Sequence, residues 1–381
     1  MKNKKLVMIP GPTPVTREIQ DQMGRETVAF GDPAFVEDFK GVVADLKTMW
    51  KTDGEAFVIA GTGTLGMEMA LDNTLGKGDK VLHVSNGFFG DRFIEMVSRK
   101  GLEHETIQAE WGTSITPDQV EAELEKNKYD AVIVTHVDTS TGVAAPVAEI
   151  GEVLKKYPDT LYIVDAVCAS AAERQYVDEM GIDVLITGSQ KAFGVAPGLT
   201  ILWASKDALA KRDTLGDIAS YYTDFNKWIP IMHDPTKYFA TPAVNLIWAL
   251  KESVNLIKEE GIEERYDRHQ HDAEAVQKAL EALGFTLLAD ENYRSVALST
   301  ILYMDGVDDA EFRQVLAEEG VVVAGGLGPY AGKMFRLGHM GNIDTHTLIS
   351  SISAIERTLY RVGIDVELGK GVQVLTENLL K

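Results

Sequence analysis

Between about Glu55 and Ser205, short and nearly all-apolar runs alternate with amphipathic stretches, the rhythm of parallel strands joined by right-handed helical crossovers. The runs are residues 56–60, 80–84, 131–135, 161–165, 184–187 and 200–203. Each has the character of a strand covered on both faces. Helix starts punctuate the pattern: Thr116-Pro117-Asp118-Gln119 supplies a cap, a first-turn proline and a glutamine placed for a capping box. Thr241-Pro242 reads as the start of a helix that runs to Glu260 and stops at Gly261. Beyond Gly261 the character changes to a long charged helix, strand-like runs at 295–298 and 300–303, a helix near 310–319, further strands at 321–324 and 334–337, and terminal helices.

A chain of 381 residues exceeds what one core usually organises. The expected division is an arm over 1–15, a large domain over 16–260 and a smaller α+β domain over 261–381. With 58 acidic against 37 basic residues and a formal charge of -21, broad attraction to nucleic acid or anionic membrane is disfavoured. A small metabolite is the better partner. Cys168 is the only cysteine, which excludes an intramolecular disulfide and a cysteine-built zinc site. The basic start Met1-Lys2-Asn3-Lys4-Lys5 precedes only four apolar residues before Pro10-Gly11-Pro12, too few for a secretory signal. No run approaches the roughly 18 apolar residues of a membrane span, so a cytoplasmic location is expected.

The motif Gly61-Thr62-Gly63-Thr64-Leu65-Gly66 follows a strand and opens a helix. Literally it is G-x-G-x-x-G, which admits a dinucleotide-binding reading, and hence an NAD-dependent dehydrogenase, with Asp79 (79 minus 61, 18 residues on) as the ribose acid. Asp79, however, sits in a turn before the next strand rather than at that strand's far end. Common to both readings is a helix N-terminus of small residues whose amides are free to cradle a phosphate. Further on, Asp165 ends a buried apolar strand, where a bare carboxylate is costly unless a cation meets it. Lys191, 26 residues later (191 minus 165), lies just past another strand end in a loop of small and polar residues. Alone, each also reads as a surface lysine, a cap or an ion-pair partner. On one sheet edge they are the acid for a pyridinium nitrogen and the amine for an aldehyde that pyridoxal phosphate chemistry requires.

The order of motifs from Pro10 to about Gly341 resembles the class V aminotransferases of fold type I, in particular the alanine-glyoxylate and serine-pyruvate group. The resemblance is carried by Pro10-Gly11-Pro12-Thr13-Pro14-Val15, Gly61-Thr62-Gly63-Thr64, Asn86-Gly87-Phe88-Phe89-Gly90, Thr135-His136 with Thr139-Ser140-Thr141-Gly142-Val143, Asp165, Gly188-Ser189-Gln190-Lys191, Tyr238 with Thr241-Pro242, and Phe335-Arg336-Leu337-Gly338-His339-Met340-Gly341. It implies an α/β large domain with a mostly parallel seven-stranded sheet between helices, and pyridoxal 5'-phosphate held as a Schiff base on Lys191. By the same resemblance Gly63, Thr64 and Gln190 hold the cofactor phosphate, Phe89 stacks on the ring where relatives usually carry tryptophan, and Thr139 bonds the ring hydroxyl. Asp165 keeps the ring nitrogen protonated, so its own pKa is expected to fall. Tyr238 and Thr241 reach the phosphate of a neighbouring subunit, implying a homodimer; taken bare, Thr241 is an N-cap. Arg336 binds the substrate α-carboxylate as a bidentate fork, and Gly11 lines the same pocket.

The activity so implied is amino transfer from a small amino acid, alanine or serine, to glyoxylate or pyruvate by a ping-pong course. A phosphonate-type transaminase shares most of the motifs. Cysteine desulfuration needs a mobile nucleophilic cysteine, whereas Cys168 lies three residues after Asp165 and reads as a small apolar group packed beneath the ring. Where relatives show a histidine-arginine pair, this chain has Phe30-Gly31-Asp32-Pro33, which favours small or apolar substrates over dicarboxylates.

Overall fold

The computed structural model describes residues 5–381, so residues 1–4 of the expected arm, with most of the basic start, lie outside the described residues. Its centre is a seven-stranded sheet of β1 (Glu55–Ala60), β2 (Lys80–Ser85), β3 (Glu103–Gln108), β4 (Ala131–Thr135), β5 (Leu161–Asp165), β6 (Val184–Gly188) and β7 (Leu199–Ala204). The spatial order is β1-β7-β6-β5-β4-β2-β3. Strand β7 runs antiparallel to both of its neighbours, and every other pairing is parallel. Two reversals in succession leave β1 pointing the same way as β6. The C-terminal ends of β1, β2, β4, β5 and β6 therefore open on one edge, where an α/β sheet binds its ligands.

Strand β3 escaped the sequence reading because it is an edge strand, polar at every position but Ile107 and with no residue fully buried, whereas the other strands are buried almost throughout. The capping box at Thr116 forms as expected, with Thr116 and Gln119 each accepting from the other's backbone. The Thr241-Pro242 start does not hold: the helix spans Val244–Glu260, and Ala243 is its N-cap residue, with no side-chain bond. A tight turn, Val244 N–H to Pro242 carbonyl at 3.0 Å, delays the first helical residue, so Thr241 is not the cap.

A second, antiparallel sheet is formed by β8 (Thr286–Leu287), β9 (Leu298–Leu302), β10 (Ala324–Gly325) and β11 (Met334–Gly338), in the order β8-β9-β11-β10. The runs at 295–298 and 300–303 contribute the single strand β9. The run at 321–324 instead divides: Val321–Val322 pairs with the arm strand Leu6–Val7, and Ala324 passes to β11. Two apolar cores result. One surrounds the large sheet, and the other collects Met8 with residues of the 275–375 region, including Phe312, Phe335 and Ile352. The long helix Ile262–Ala282 serves both, through Ala273 in the first and Ala275, Val276 and Ala279 in the second.

The arm is fastened across β11. Gly338 N–H donates to the Met8 carbonyl at 2.9 Å, and a Cβ at Gly338 would stand 2.5 Å from the Ile9 carbonyl oxygen. Backbone cannot move aside as a flexible side chain can, so Gly338→Ala is expected to destabilise the protein by about 2 kcal/mol, the usual cost of overpacking. A urea melt measures the loss, and limited proteolysis is expected to cut the arm first.

Candidate active site

Strand β1 ends at Ala60 and the next helix begins at Gly63, spanning Gly63–Thr74. Thr62 at its N-cap is extended and its side chain makes no capping bond, so the first amides are left without an internal partner. Glycine at 63 is a packing requirement, since a Cβ there would lie 2.4 Å from Val167 Cγ2. Gly66 likewise lets the helix approach Ile186 Cγ2, 2.7 Å from where a Cβ would stand. The dinucleotide reading loses its acid here. Asp79 accepts the Gly76 amide at 2.7 Å and pairs with Lys211 at 2.8 Å, closing its own turn.

The open helix end faces a cavity of about 190 Å³. Gly63, Thr64, Phe89, Thr139, Asp165, Gln190 and Lys191 all line it, so seven residues singled out from the sequence meet in one place. Gln190 extends its side-chain amide there with the buried oxygen unpartnered. Cys168 also lines the cavity, buried, with its thiol pushed up to about 12 by desolvation. It is a small apolar wall rather than a nucleophile.

Asp165 is 3% exposed, and among the described residues its one donor is the Val167 amide at 3.0 Å. Burial raises its pKa to about 6; the Val167 amide pulls the other way, nearby Asp138 adds to the rise, and Arg92 and Lys191 oppose it only weakly. The expected fall refers to a carboxyl touched by a ring cation; the protein's own groups by themselves place it above the usual carboxylate range. Lys191 is displaced in the complementary sense: burial first, then the positive charges of Arg336 and Arg92, lower its pKa, against the raising influence of Cys168 and Asp165. Its ammonium donates to the Pro10 carbonyl.

The loop carrying Lys191 is held through four successive carbonyls. Thr13 N–H donates to Gln190 O at 3.0 Å and Thr13 Oγ1 to Lys191 O at 2.7 Å, while Arg265 holds Ala192 O and Ser253 holds Phe193 O. Gly11, at φ +111, is the other half of this clamp: a Cβ there would fall 2.6 Å from Lys191 Nζ.

Arg336, on β11, donates through Nε to Gly325 O at 2.8 Å and through Nη1 to Thr139 O at 3.1 Å. Both partners are neutral carbonyls, and no ion pair among the described residues includes Arg336. Burial accordingly lowers its pKa. Nearby Asp138 offsets that lowering only in part, and a half-buried guanidinium in no ion pair among the described residues has N–H groups of the geometry a carboxylate requires. Tyr238 and Thr241 stand apart from the cavity of their own chain; Tyr238 is 66% exposed and packs on Phe30 at 5.4 Å. Asp32 of the same segment caps the helix Pro33–Met49 through the Ala34 and Phe35 amides at 3.0 and 3.1 Å.

Two site residues were missed in the sequence. Asp138 accepts from the Phe89 and Gly90 amides at 2.9 and 3.1 Å and from the Ser140 amide and hydroxyl at 2.9 and 2.6 Å, fixing the helix start that carries Phe89. Arg92, one turn after Phe89, places its guanidinium carbon 5.0 Å from that ring's centre and lines the cavity. An acid ahead of Ser140-Thr141-Gly142 is a turn signal that could have flagged Asp138; Arg92 reads as an ordinary helix-surface arginine.

The family model of aminotransferase class-V matches residues 35–341. The chain belongs to this family. It is 38% identical to an uncharacterized aminotransferase of Methanocaldococcus jannaschii, over 99% of this chain and 98% of that protein. It is 32% identical to an L-aspartate–glyoxylate aminotransferase of Paracoccus denitrificans, over 99% and 97%. Among solved structures, the ureidoglycine-glyoxylate aminotransferase of Bacillus subtilis superposes with a TM-score of 0.95 at 29% identity, covering 100% of this chain and 99% of that one. The protein is therefore an aminotransferase of PLP fold type I, and its cofactor is pyridoxal 5'-phosphate.

The residues present fit that cofactor. A class V aminotransferase needs an anion cradle, an acid for a ring cation and an amine of lowered pKa; the uncapped helix end, the unpaired Asp165 and the buried Lys191 offer these in one cavity. The Asp165 carboxyl gives a pH-dependent test. Its raised pKa contributes stability that is present below about pH 4 and lost as pH rises through about 6, a cost of about 3 kcal/mol above that. Cofactor-free Asp165→Asn is therefore expected to exceed the parent in stability by about 2 kcal/mol at pH 8, with the gap narrowing towards pH 5. Urea melts at the two pH values check the sign, and a gap that widens on acidification contradicts it.

Proposed function

We propose that this aminotransferase moves the α-amino group of a small amino acid, alanine or serine, to glyoxylate or pyruvate in two half-reactions, with Lys191 as the amine that holds the cofactor and relays the proton. The observation that carries this reading is the company of Lys191: a buried amine of lowered pKa shares a cavity with a buried carboxyl, beside an arginine, and neither of these two is in an ion pair among the described residues.

When bound, the cofactor supplies an aldehyde for the amine and a cationic ring that accepts the electrons released at the substrate α-carbon. The rest is work for the chain. Lys191, favoured in its neutral form by burial, takes the proton from the α-carbon and returns it on the other side of the transfer. Asp165 would hold a proton at the ring nitrogen, and a cation there would lower the carboxyl from the value that burial gives it. Gly63, Thr64 and Gln190 would hold the phosphate, Phe89 would supply an aromatic face for the ring, and Thr139 would offer a hydrogen bond to the ring hydroxyl. Arg336 grips the substrate carboxylate with the N–H groups that its two carbonyl partners leave over, and Gly11 keeps the arm close above the amine.

The exposure of Tyr238 and Thr241 supports a homodimer in which each subunit completes its partner's phosphate site. Phe30, packed on Tyr238, would then accompany it to that site. The lack of a cation at Phe30-Gly31 supports a small donor. The Paracoccus denitrificans relative is named for L-aspartate, a dicarboxylate, so aspartate belongs in the comparison. No helix among the described residues is long and apolar enough to cross a membrane, which is compatible with a cytoplasmic location.

Lys191→Ala is expected to retain the cofactor without covalent attachment and to lose turnover; normal rates in that variant would refute the assignment. Arg336→Lys keeps the charge but not the fork, and kcat/KM for the donor is expected to fall ~30-fold, about 2 kcal/mol. Steady-state rates with alanine, serine and aspartate against glyoxylate, pyruvate and 2-oxoglutarate identify the pair, and preference for aspartate with 2-oxoglutarate would overturn the substrate assignment.

A further inference from the structure

Arg265 lies in the helix Ile262–Ala282, outside every motif that carries the family resemblance, and is 1% exposed. Its guanidinium is fully engaged. Nε donates to Ala171 O at 3.0 Å, Nη2 to Ala192 O at 2.6 Å, and Nη1 to Glu260 Oε2 at 2.7 Å, while both Nη1 and Nη2 reach Asn342 Oδ1 at 3.2 Å. Three of these partners belong to different segments of the site. Ala171 is in the loop that leaves β5 after Asp165, Ala192 follows Lys191, and Asn342 follows the β11 segment that carries Arg336.

Two further observations show the tie to be specific. Ala171 is buried with φ +65, a conformation that residues with a Cβ rarely hold, and the carbonyl it presents is the one Arg265 Nε meets. The Asn342 end is secured from the same helix: His269 Nε2 accepts the Gly341 amide at 2.9 Å, and Arg268 Nη2 donates to Gly341 O at 3.0 Å.

We infer that Arg265 is a positioning residue, a single planar fork that sets the Asp165, Lys191 and Arg336 segments in register and so aims the Lys191 amine. The inference rests on the role proposed for Lys191. Charge alone cannot do this, because a lysine at 265 has one nitrogen where the three segments need donors in three directions. Glu260 stays paired when Arg265 is replaced, since Arg268 Nε also donates to it at 2.6 Å.

The test compares Arg265→Gln and the milder Arg265→Lys with the parent protein, first stripped of cofactor. Pyridoxine 5'-phosphate, which has no aldehyde, reports on the non-covalent pocket, and its Kd by calorimetry is expected to stay within threefold. The rate at which added pyridoxal 5'-phosphate develops its visible band reports the aim of the amine. That rate is expected to fall at least tenfold in Arg265→Gln and to be only partly restored in Arg265→Lys. Band formation at the parental rate in Arg265→Gln overturns the inference, as does full restoration by lysine or a parallel loss of pyridoxine 5'-phosphate binding. Should Arg265→Gln fail to fold, the lysine variant alone decides between the same outcomes. Lys191→Ala run alongside separates the two readings: a persistent visible band there sinks the role of Lys191, whereas a normal rate in the Arg265 variants sinks only the positioning role.

Discussion

Burying a carboxyl at the end of a parallel strand costs free energy that a cation in the same cavity recovers, and the site is arranged around that unsettled cost. Among the described residues the Asp165 carboxylate has only the Val167 amide as a donor, and burial pushes its pKa up to about 6. Lys191 is the nearby amine, yet its hydrogen bond goes to the Pro10 carbonyl and not to the acid. Acid and amine are not paired with each other, which in the proposed reading leaves each for a different atom of the cofactor. An ion pair between them would satisfy the protein and exclude the cofactor.

Holding such groups apart requires a rigid frame, and the chain builds it from backbone. Four consecutive carbonyls of the Lys191 loop accept from the arm, from the helix Val244–Glu260 and from Arg265. Asp138, with four donors on one carboxylate, does the same for the helix end under Phe89. These contacts set the positions of the groups that line the cavity.

Much of this was legible in the sequence because burial on both faces of a parallel sheet leaves a plain apolar signature, and because Gly63, Asp165 and Lys191 each follow such a run. Six of the seven strands of the large sheet carry it. The seventh, β3, lies at the edge with half its residues wet, and its polar sequence EHETIQ hides it. The run at 321–324 looked like one strand because composition cannot show that Val321–Val322 pairs with the arm and Ala324 with β11. Thr241 looked like a cap because the tight turn at Pro242 is a matter of backbone geometry. Asp138 left a trace in the turn residues after it, whereas Arg265 was hidden because Ala171, Ala192 and Asn342 are brought to it only by the tertiary fold, and Arg92 because it reads as an ordinary helix-surface arginine.

The pairing of Leu6–Val7 with Val321–Val322 bears on how the protein is made. The arm strand cannot pair until Val321–Val322 is made, whereas every strand of the large sheet lies before that segment and can form without it. Contacts between residues so distant in the chain form late, after the entropy of closing that loop has been met. The segment over the Lys191 amine is thus among the last parts of this structure that can close.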